Sequence, residues 1–380
     1  MLLPVYQILV LCSLLVFFGI LLRNLVDLCG LPENPPDNGP FVSVLVPARN
    51  EMLNIERCVV SLLKQDYRDL EIIVLDDGST DATPDILKKI QVDSGSRLRI
   101  VQGEPLPEGW HGKAWACFQL AREARGDFLL FTDADTLHLP DALRRSLGAL
   151  QAAHADMLTL TPRQELGSFW EKLVVPLVYV ILMCYLPLRF VSRTRIPAFC
   201  FAVGQFILFR RERYDLIDGH ASVRESIVED VWLCRAIKKS GGKVVAFNGT
   251  DVVSCRMYRS FNDIWTGFSK NLFAGIGYST PILIILMLLV AVFYIIPYGF
   301  IFSAFFCREF TAPVFWLPFA QIILALICRV IIALKFRQPV ASAFFNVFSQ
   351  LILLAIAWHS FYIIRTGKGA EWKGRRYNFS

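Results

Sequence analysis

Phe128-Leu129-Leu130-Phe131-Thr132-Asp133-Ala134-Asp135 runs four apolar residues straight into two carboxylates one residue apart. A short, continuous apolar run is the pattern of a strand buried on both faces, and the acidic pair falls just past its C-terminal end. The pattern recurs upstream. Leu70-Glu71-Ile72-Ile73-Val74-Leu75 is closed by Asp76-Asp77-Gly78-Ser79-Thr80-Asp81, and Phe41-Val42-Ser43-Val44-Leu45-Val46 is expected to end at Pro47. A further strand is expected at 98–101, and helical spacing at 55–65, 84–92 and 115–125. Strands alternating with helices of this length predict an α/β domain with a mostly parallel sheet and right-handed crossovers. Open sheets of that kind bind ligands beyond the C-terminal ends of their strands, where Asp76, Asp77, Asp133 and Asp135 all lie.

Beyond this domain the composition changes. The 380 residues are 54% apolar and 19% charged, with 30 Phe, too little polar surface for an ordinary soluble protein. The excess sits at the two ends. Residues 2–22 form an apolar run long enough to cross a bilayer. Arg23 follows directly, with no basic segment before the run and no small-residue cleavage pattern, so 1–24 is expected to be a signal anchor. A Pro-rich linker spans 25–40. Three further long runs, 281–306, 311–334 and 340–364, place transmembrane helices within 273–364. The link Lys335-Phe336-Arg337 and the basic tail 365–380 both ask for the cytoplasmic side. They conflict if the last run crosses once, and either a re-entrant last run or an extra break near Pro281 or Pro297 would reconcile them. Residues 173–190, interrupted by Pro176 and Pro187, are read as membrane-skimming, because a crossing there would part Asp133 from Asp230. The formal charge of +6 comes without a concentrated basic stripe, which argues against nucleic acid and suits anionic headgroups. Ten scattered cysteines with no C-x-x-C pair indicate neither a zinc site nor a disulfide framework.

Two carboxylates at i and i+2 at a strand mouth are suited to a hard divalent cation, Mg²⁺ or Mn²⁺, which keeps waters and bridges to substrate phosphates. A polar loop closing the strand is the plainer alternative. Asp76-Asp77-Gly78-Ser79 reads as a simple turn, or as a site where a carboxylate meets a base or ribose while Gly78 lets the backbone approach. Glu229-Asp230 can be the acidic first turn of a helix over 231–240, a general base, or both. No Ser/His/Asp set appears.

In order, Val46-Pro47-Ala48-Arg49-Asn50-Glu51, Leu75 to Asp81, Thr132 to Asp135 and Glu229-Asp230 resemble the signature of family 2 glycosyltransferases, which have the GT-A fold. The resemblance implies a catalytic domain over 41–255 that uses a nucleotide-sugar donor. It implies donor contacts at Pro47, Glu51, Asp76, Asp77 and Asp133, metal at Asp133 and Asp135, and Asp230 as base of an inverting transfer. Finer features are similar to enzymes that glycosylate carotenoid acids and to hopanoid-associated transferases: Gly109 to Ala116, Gly204-Gln205-Phe206, Gly219-His220, Arg256-Met257-Tyr258, Gly267 to Asn271 and Trp372 to Tyr377. They imply a lipid acceptor near Glu229, Gly204, Gln205, His220 and Trp265, although a lone histidine such as His220 is also commonly structural. Lys113 is placed to meet a donor phosphate at a helix start, with a solvated surface lysine as the plainer alternative.

Processive synthases of this superfamily carry a Q/R-x-x-R-W motif. Here Arg256-Met257-Tyr258-Arg259 is followed by Ser260 instead of Trp, so either arginine can clamp a diphosphate or lie against headgroups. An interfacial amphipathic helix is expected over 256–272, with Phe261, Ile264 and Phe268 on its apolar side. The acceptor is expected to enter between that face and residues 173–190. The whole reads as a multi-pass protein of the cell membrane with a cytoplasmic catalytic domain that moves a hexose, from a UDP-sugar, to a lipid. A processive polysaccharide synthase and a non-catalytic scaffold of the same fold are the alternatives.

Overall fold

The computed structural model describes residues 2–33, 39–366 and 370–377; linker residues 34–38 and tail residues 367–369 and 378–380 lie outside the described residues. The chain forms two compact units. One comprises Leu28–Glu165 and Leu188–Met257, the other Met1–Asp27, Leu166–Pro187 and Tyr258–Ser380.

The first unit contains ten strands: β1 (Val42–Ala48), β2 (Leu70–Asp76), β3 (Leu98–Gln102), β4 (Phe128–Phe131), β5 (Thr136–His138), β6 (Met157–Thr161), β7 (Arg163–Gln164), β8 (Ile207–Arg210), β9 (Val244–Asn248) and β10 (Val253–Cys255). Seven form one sheet in the order β3-β2-β1-β4-β8-β6-β9. Its first half is parallel, as the apolar runs predict. Strand β8 runs antiparallel to both β4 and β6, so the sheet is mixed. The helices Ile55–Leu63, Thr83–Ser94 and Gly112–Glu123 alternate with the parallel strands, and a small sheet, β5-β10-β7, stands apart from the main one.

Pro47 does not end β1. It pairs with Leu75 in β2, and the strand continues to Ala48. The reason is directional. The Leu45 carbonyl accepts from Thr132 on the β4 side, and alternation turns Pro47 to that same side. There the β1–β4 ladder has already stopped at Leu45 opposite Phe131, so the missing N–H removes no ladder bond.

The other unit holds four helical stretches long and apolar enough to cross a membrane: Leu2–Asp27, Thr280–Cys307, Ala312–Lys335 and Val340–Arg365. The 173–190 stretch breaks into short pieces at its prolines, Phe169–Val174, Leu177–Val180 and a π-helical turn at Ile181–Tyr185. Asn24 holds that turn, donating to the Met183 and Leu186 carbonyls at 3.0 and 2.7 Å. The helix Phe261–Gly275 starts on a capping box, Ser260 with Asp263. Its apolar side is as expected, but it is already covered. Ile264 and Phe268 pack on Leu173, Val174 and Ile356, so the expected acceptor gap between this face and residues 173–190 is filled by side chains.

Ser43 is a strong local constraint in the main sheet. Fully buried, its hydroxyl donates to Glu71 at 2.6 Å and accepts from the Arg125 and Gly126 amides at 3.1 and 2.8 Å. A Cβ at Gly126 would come within 2.5 Å of the Ser43 nitrogen. Ser43→Ala therefore strands a buried amide, and a loss of about 1–3 kcal/mol is expected, read as a lower midpoint in denaturant melts of the micelle-solubilised protein.

Candidate active site

The loop after β4 is fixed by hydroxyls. Thr132 Oγ1 donates to the Gln205 carbonyl at 2.7 Å and Thr136 Oγ1 to the Asp133 carbonyl at 2.7 Å. His138 Nε2 lies 3.0 and 2.9 Å from these same two oxygens. Both hydroxyl protons are committed, so His138 Nε2 is the donor. Burial pushes its pKa down to about 3. Cys58 adds a weak thiol contact to the Asp133 carbonyl at 3.7 Å.

This loop presents Asp133 to Lys113, which stands at the start of the helix Gly112–Glu123. Lys113 Nζ lies 2.8 Å from Asp133 Oδ1 and 2.9 Å from Glu229 Oε1. Burial alone would discharge the lysine, but the two carboxylates outweigh it and hold its pKa well above the usual value. Glu229 and Asp230 begin the helix Glu229–Lys239. Asp230 Oδ2 accepts from the Gly204 amide at 3.0 Å and Oδ1 from the Val231 amide at 2.8 Å. Burial, then the charge of Glu229, raises its pKa to about 7, against the pull of Lys113 and the two amides.

Gly204 marks where these groups meet. A Cβ there would stand 2.8 Å from Lys113 Nζ and 3.7 Å from both Asp133 Oδ2 and Asp230 Oδ2. The two aspartates, nearly a hundred residues apart in sequence, thus face one point. A small cleft opens there, lined by Pro47, Lys113, Asp133, Gly204, His220 and Glu229 among others. His220 is buried against Phe131, its Nδ1 2.7 Å from Tyr214 Oη. Burial, aided by Lys113, lowers its pKa to about 3. Gln205 is buried, donates to Met257 Sδ, and leaves its Oε1 without a partner.

The remaining expected residues are placed as follows. Asp76 turns inward: Oδ1 accepts from the Ser79 amide at 3.0 Å and Oδ2 from Gln102 at 3.2 Å. Asp77 is buried, its amide donating to the Ala48 carbonyl. Gly78 adopts φ 65°, the left-handed region that favours glycine. Glu51 receives a hydrogen bond from Asn54 at 3.0 Å. Asp135 Oδ1 accepts from the Cys255 thiol at 3.3 Å, and its carbonyl takes the Arg256 amide. Arg259 and Trp265 belong to the membrane unit. There the Arg259 amide donates to Asp263 and Trp265 Nε1 to His359 Nδ1 at 3.1 Å. Lys113, expected at a phosphate, bridges two carboxylates here. Thr136 and His138 had no assigned role, although the sequence shows them in Thr132-Asp133-Ala134-Asp135-Thr136-Leu137-His138.

Among the described residues no three His, Cys, Asp or Glu side chains gather into a metal cage. The donor set fits a hard cation completed by substrate. Asp133 supplies carboxylate oxygens already engaged with a cation, and Mg²⁺ or Mn²⁺ needs only one or two carboxylates when phosphates and waters fill the rest.

A mixed sheet flanked by helices, with Asp133 past one strand end beside the cleft, is the GT-A glycosyltransferase fold. A mannosyltransferase from Pyrobaculum calidifontis, solved with GDP-Man and Mn²⁺, shares it, with a TM-score of 0.52 at 18% identity over 94% of this chain and 98% of that one. Residues 43–217 match the family described as glycosyl transferase family 2. Similar proteins include 4,4'-diaponeurosporenoate glycosyltransferases. That of Staphylococcus haemolyticus (strain JCSC1435) is 27% identical over 253 residues, 65% of this chain and 65% of its own length. That of Staphylococcus aureus (strain USA300) is 27% identical over 249 residues, 64% of each. The match therefore spans about two-thirds of the length of these relatives.

His138 and His220 are both buried and neutral, with folded pKa values near 3 against about 6.5 when unfolded. Their contribution to stability is complete above about pH 6.5 and is lost as pH falls from there towards 3. His138→Gln keeps a donor and removes the titration. Its denaturation midpoint is expected to fall less than that of the wild type between pH 6.5 and 4, and His138→Ala is expected to cost about 2–4 kcal/mol at pH 7.5.

Proposed function

We propose that the protein is a membrane-bound, inverting glycosyltransferase that moves a hexose from a nucleotide-sugar donor, a UDP-sugar, to a lipid acceptor. The convergence of Asp133, Lys113, Glu229 and Asp230 on Gly204 carries this reading. A single displacement needs a carboxylate to take the acceptor proton during attack on the anomeric carbon. Asp230 suits that task, being buried, oriented by two amides, and titrating near neutrality. Lys113 keeps positive charge beside Asp133, where a donor diphosphate would lie. Mg²⁺ or Mn²⁺ held by Asp133 and Asp135 would neutralise charge on the departing diphosphate. Pro47, Glu51, Asp76 and Asp77 would frame the nucleoside, and Arg256 or Arg259 would reach the diphosphate. Gln205 and His220 would shape the acceptor side.

A lipid acceptor is favoured by four apolar helices on the same chain and by relatives named for a carotenoid acid. The architecture proposed is an anchor at 1–24, a catalytic domain at 41–255 and membrane helices within 273–364, with the catalytic domain on the cytoplasmic side.

Purified protein given radiolabelled UDP-sugar and a membrane lipid extract should place label in the organic phase. Asp230→Asn should lower that labelling about 10²- to 10⁴-fold. Label found only in a water-soluble product would exclude the lipid acceptor. Because the base must lose its proton, kcat/KM for wild type should rise with pH through about 7 and level off above it. The residual activity of Asp230→Asn should lack that limb. Chelation by EDTA should abolish labelling, and added Mn²⁺ or Mg²⁺ should restore it.

A further inference from the structure

Hydrocarbon penalises every charge placed inside it, and the four apolar helical stretches carry few. They hold a single acid, Asp27. Arg23 turns its Nε and Nη2 on that carboxylate, both at 2.9 Å. Lys335 and Arg365 end their helices, and Lys335 Nζ reaches the Leu25 carbonyl at 3.2 Å. Arg329 is different. It lies six residues before the end of the helix Leu317–Lys335, about 9 Å along its axis. It faces the interior of its unit, 4% exposed. Its Nε and Nη2 have no hydrogen-bond partner, and among the described residues it makes no ion pair.

The surroundings are polar but hold no carboxylate. Cys184 and Tyr294 are the groups that act on the guanidinium. The Tyr294 hydroxyl is hydrogen-bonded to that of Tyr185. Thiols and phenols can stabilise a cation only as dipoles. A guanidinium cannot escape by releasing its proton, as a lysine can. One turn before Arg329, Ala325 joins an apolar cluster with Val10, Leu14, Phe293 and Tyr294.

We infer that Arg329 is the counter-charge for an anionic amphiphile that enters this unit from the bilayer. The carboxylate or phosphate head sits on the Nε/Nη2 edge, and the hydrocarbon chain runs along the Val10–Phe293 cluster. The two nitrogens without partners are the pair that Arg23 uses on Asp27, the edge that takes an oxyanion side-on with two parallel bonds. One head group therefore satisfies both. Occupancy of this site does not depend on transfer chemistry in the other unit, so the two stand or fall separately.

The test uses the full chain in neutral detergent, with oleate, dioleoylphosphatidylglycerol, monoolein, dioleoylphosphatidylcholine and inorganic phosphate as probes. Thermal melting reports binding, and native mass spectrometry reports retention. Oleate or phosphatidylglycerol should raise the melting temperature and be retained at one per chain, while monoolein and phosphatidylcholine do neither. Arg329→Gln should weaken the apparent affinity about tenfold or more, the factor that one charge-assisted hydrogen bond carries. Arg329→Lys, which keeps charge but loses the two-pronged edge, should fall between. Preference for oleate assigns a carboxylate head, and preference for phosphatidylglycerol a phosphate head. Three results would overturn the site: equal response to charged and uncharged lipids, undiminished binding by Arg329→Gln, or a full response to inorganic phosphate alone. Should Arg329→Gln not fold, wild-type retention and the Arg329→Lys comparison decide by the same criteria.

Discussion

Three carboxylates crowd one cleft around Gly204, and a single ammonium keeps them there. Lys113 spans Asp133 and Glu229 at 2.8 and 2.9 Å. Like charges at such range in a partly buried site repel strongly. Without the lysine, the loop after β4 and the first turn of the helix Glu229–Lys239 would be driven apart. The bridge joins elements from opposite halves of the domain, and the cleft follows from it. A side chain at Gly204 would have to displace that ammonium, and the Gly204 amide on Asp230 ties the loop before β8 to the same point.

Adjacent carboxylates meet different surroundings here. Glu229 takes the direct contact with Lys113, whereas Asp230 is left with two backbone amides and a buried position. Amides stabilise a carboxylate less than an ammonium does, so burial dominates and Asp230 holds its proton to about pH 7. Two neighbouring acids in unlike environments are a recurring way to separate a structural charge from a titrating one. The β4 loop is kept rigid by neutral groups instead: the Thr132, Thr136 and His138 network adds no charge to an acidic site.

Much of this was legible in the sequence because strands buried on both faces must be continuously apolar. β1, β2 and β4 announce themselves that way, and Asp133, directly after β4, lines the cleft. The antiparallel β8 was not legible. Ile207–Arg210 is four residues long with no hairpin turn beside it, and its direction is set by pairing with β4 and β6, a tertiary fact. Pro47 misled for a related reason, since whether a proline breaks a strand depends on where the neighbouring strand ends. Lys113 is legible as a helix-start cation, but its contacts with Asp133 and Glu229 are not, because only the fold brings those carboxylates within reach. The apolar side of Phe261–Gly275 was visible as periodicity, but periodicity does not say whether lipid or protein covers it.

The two units answer the same electrostatic problem by different means. In the sheet unit the excess of acids is met inside the chain, by Lys113 and by amide dipoles at a helix start, so the cleft can be preformed and charged. In the four apolar stretches the chain offers one acid, Asp27, and Arg23 takes it. Arg329 lies in a run whose mean hydropathy is high enough to hide it, which is why a scan for apolar length passes over it. A cation that cannot deprotonate, turned inward where water is scarce, needs a partner of opposite sign, and the described residues of the chain supply none. Conditions in the bilayer therefore enter the stability of this unit directly, through whatever anion the guanidinium can hold.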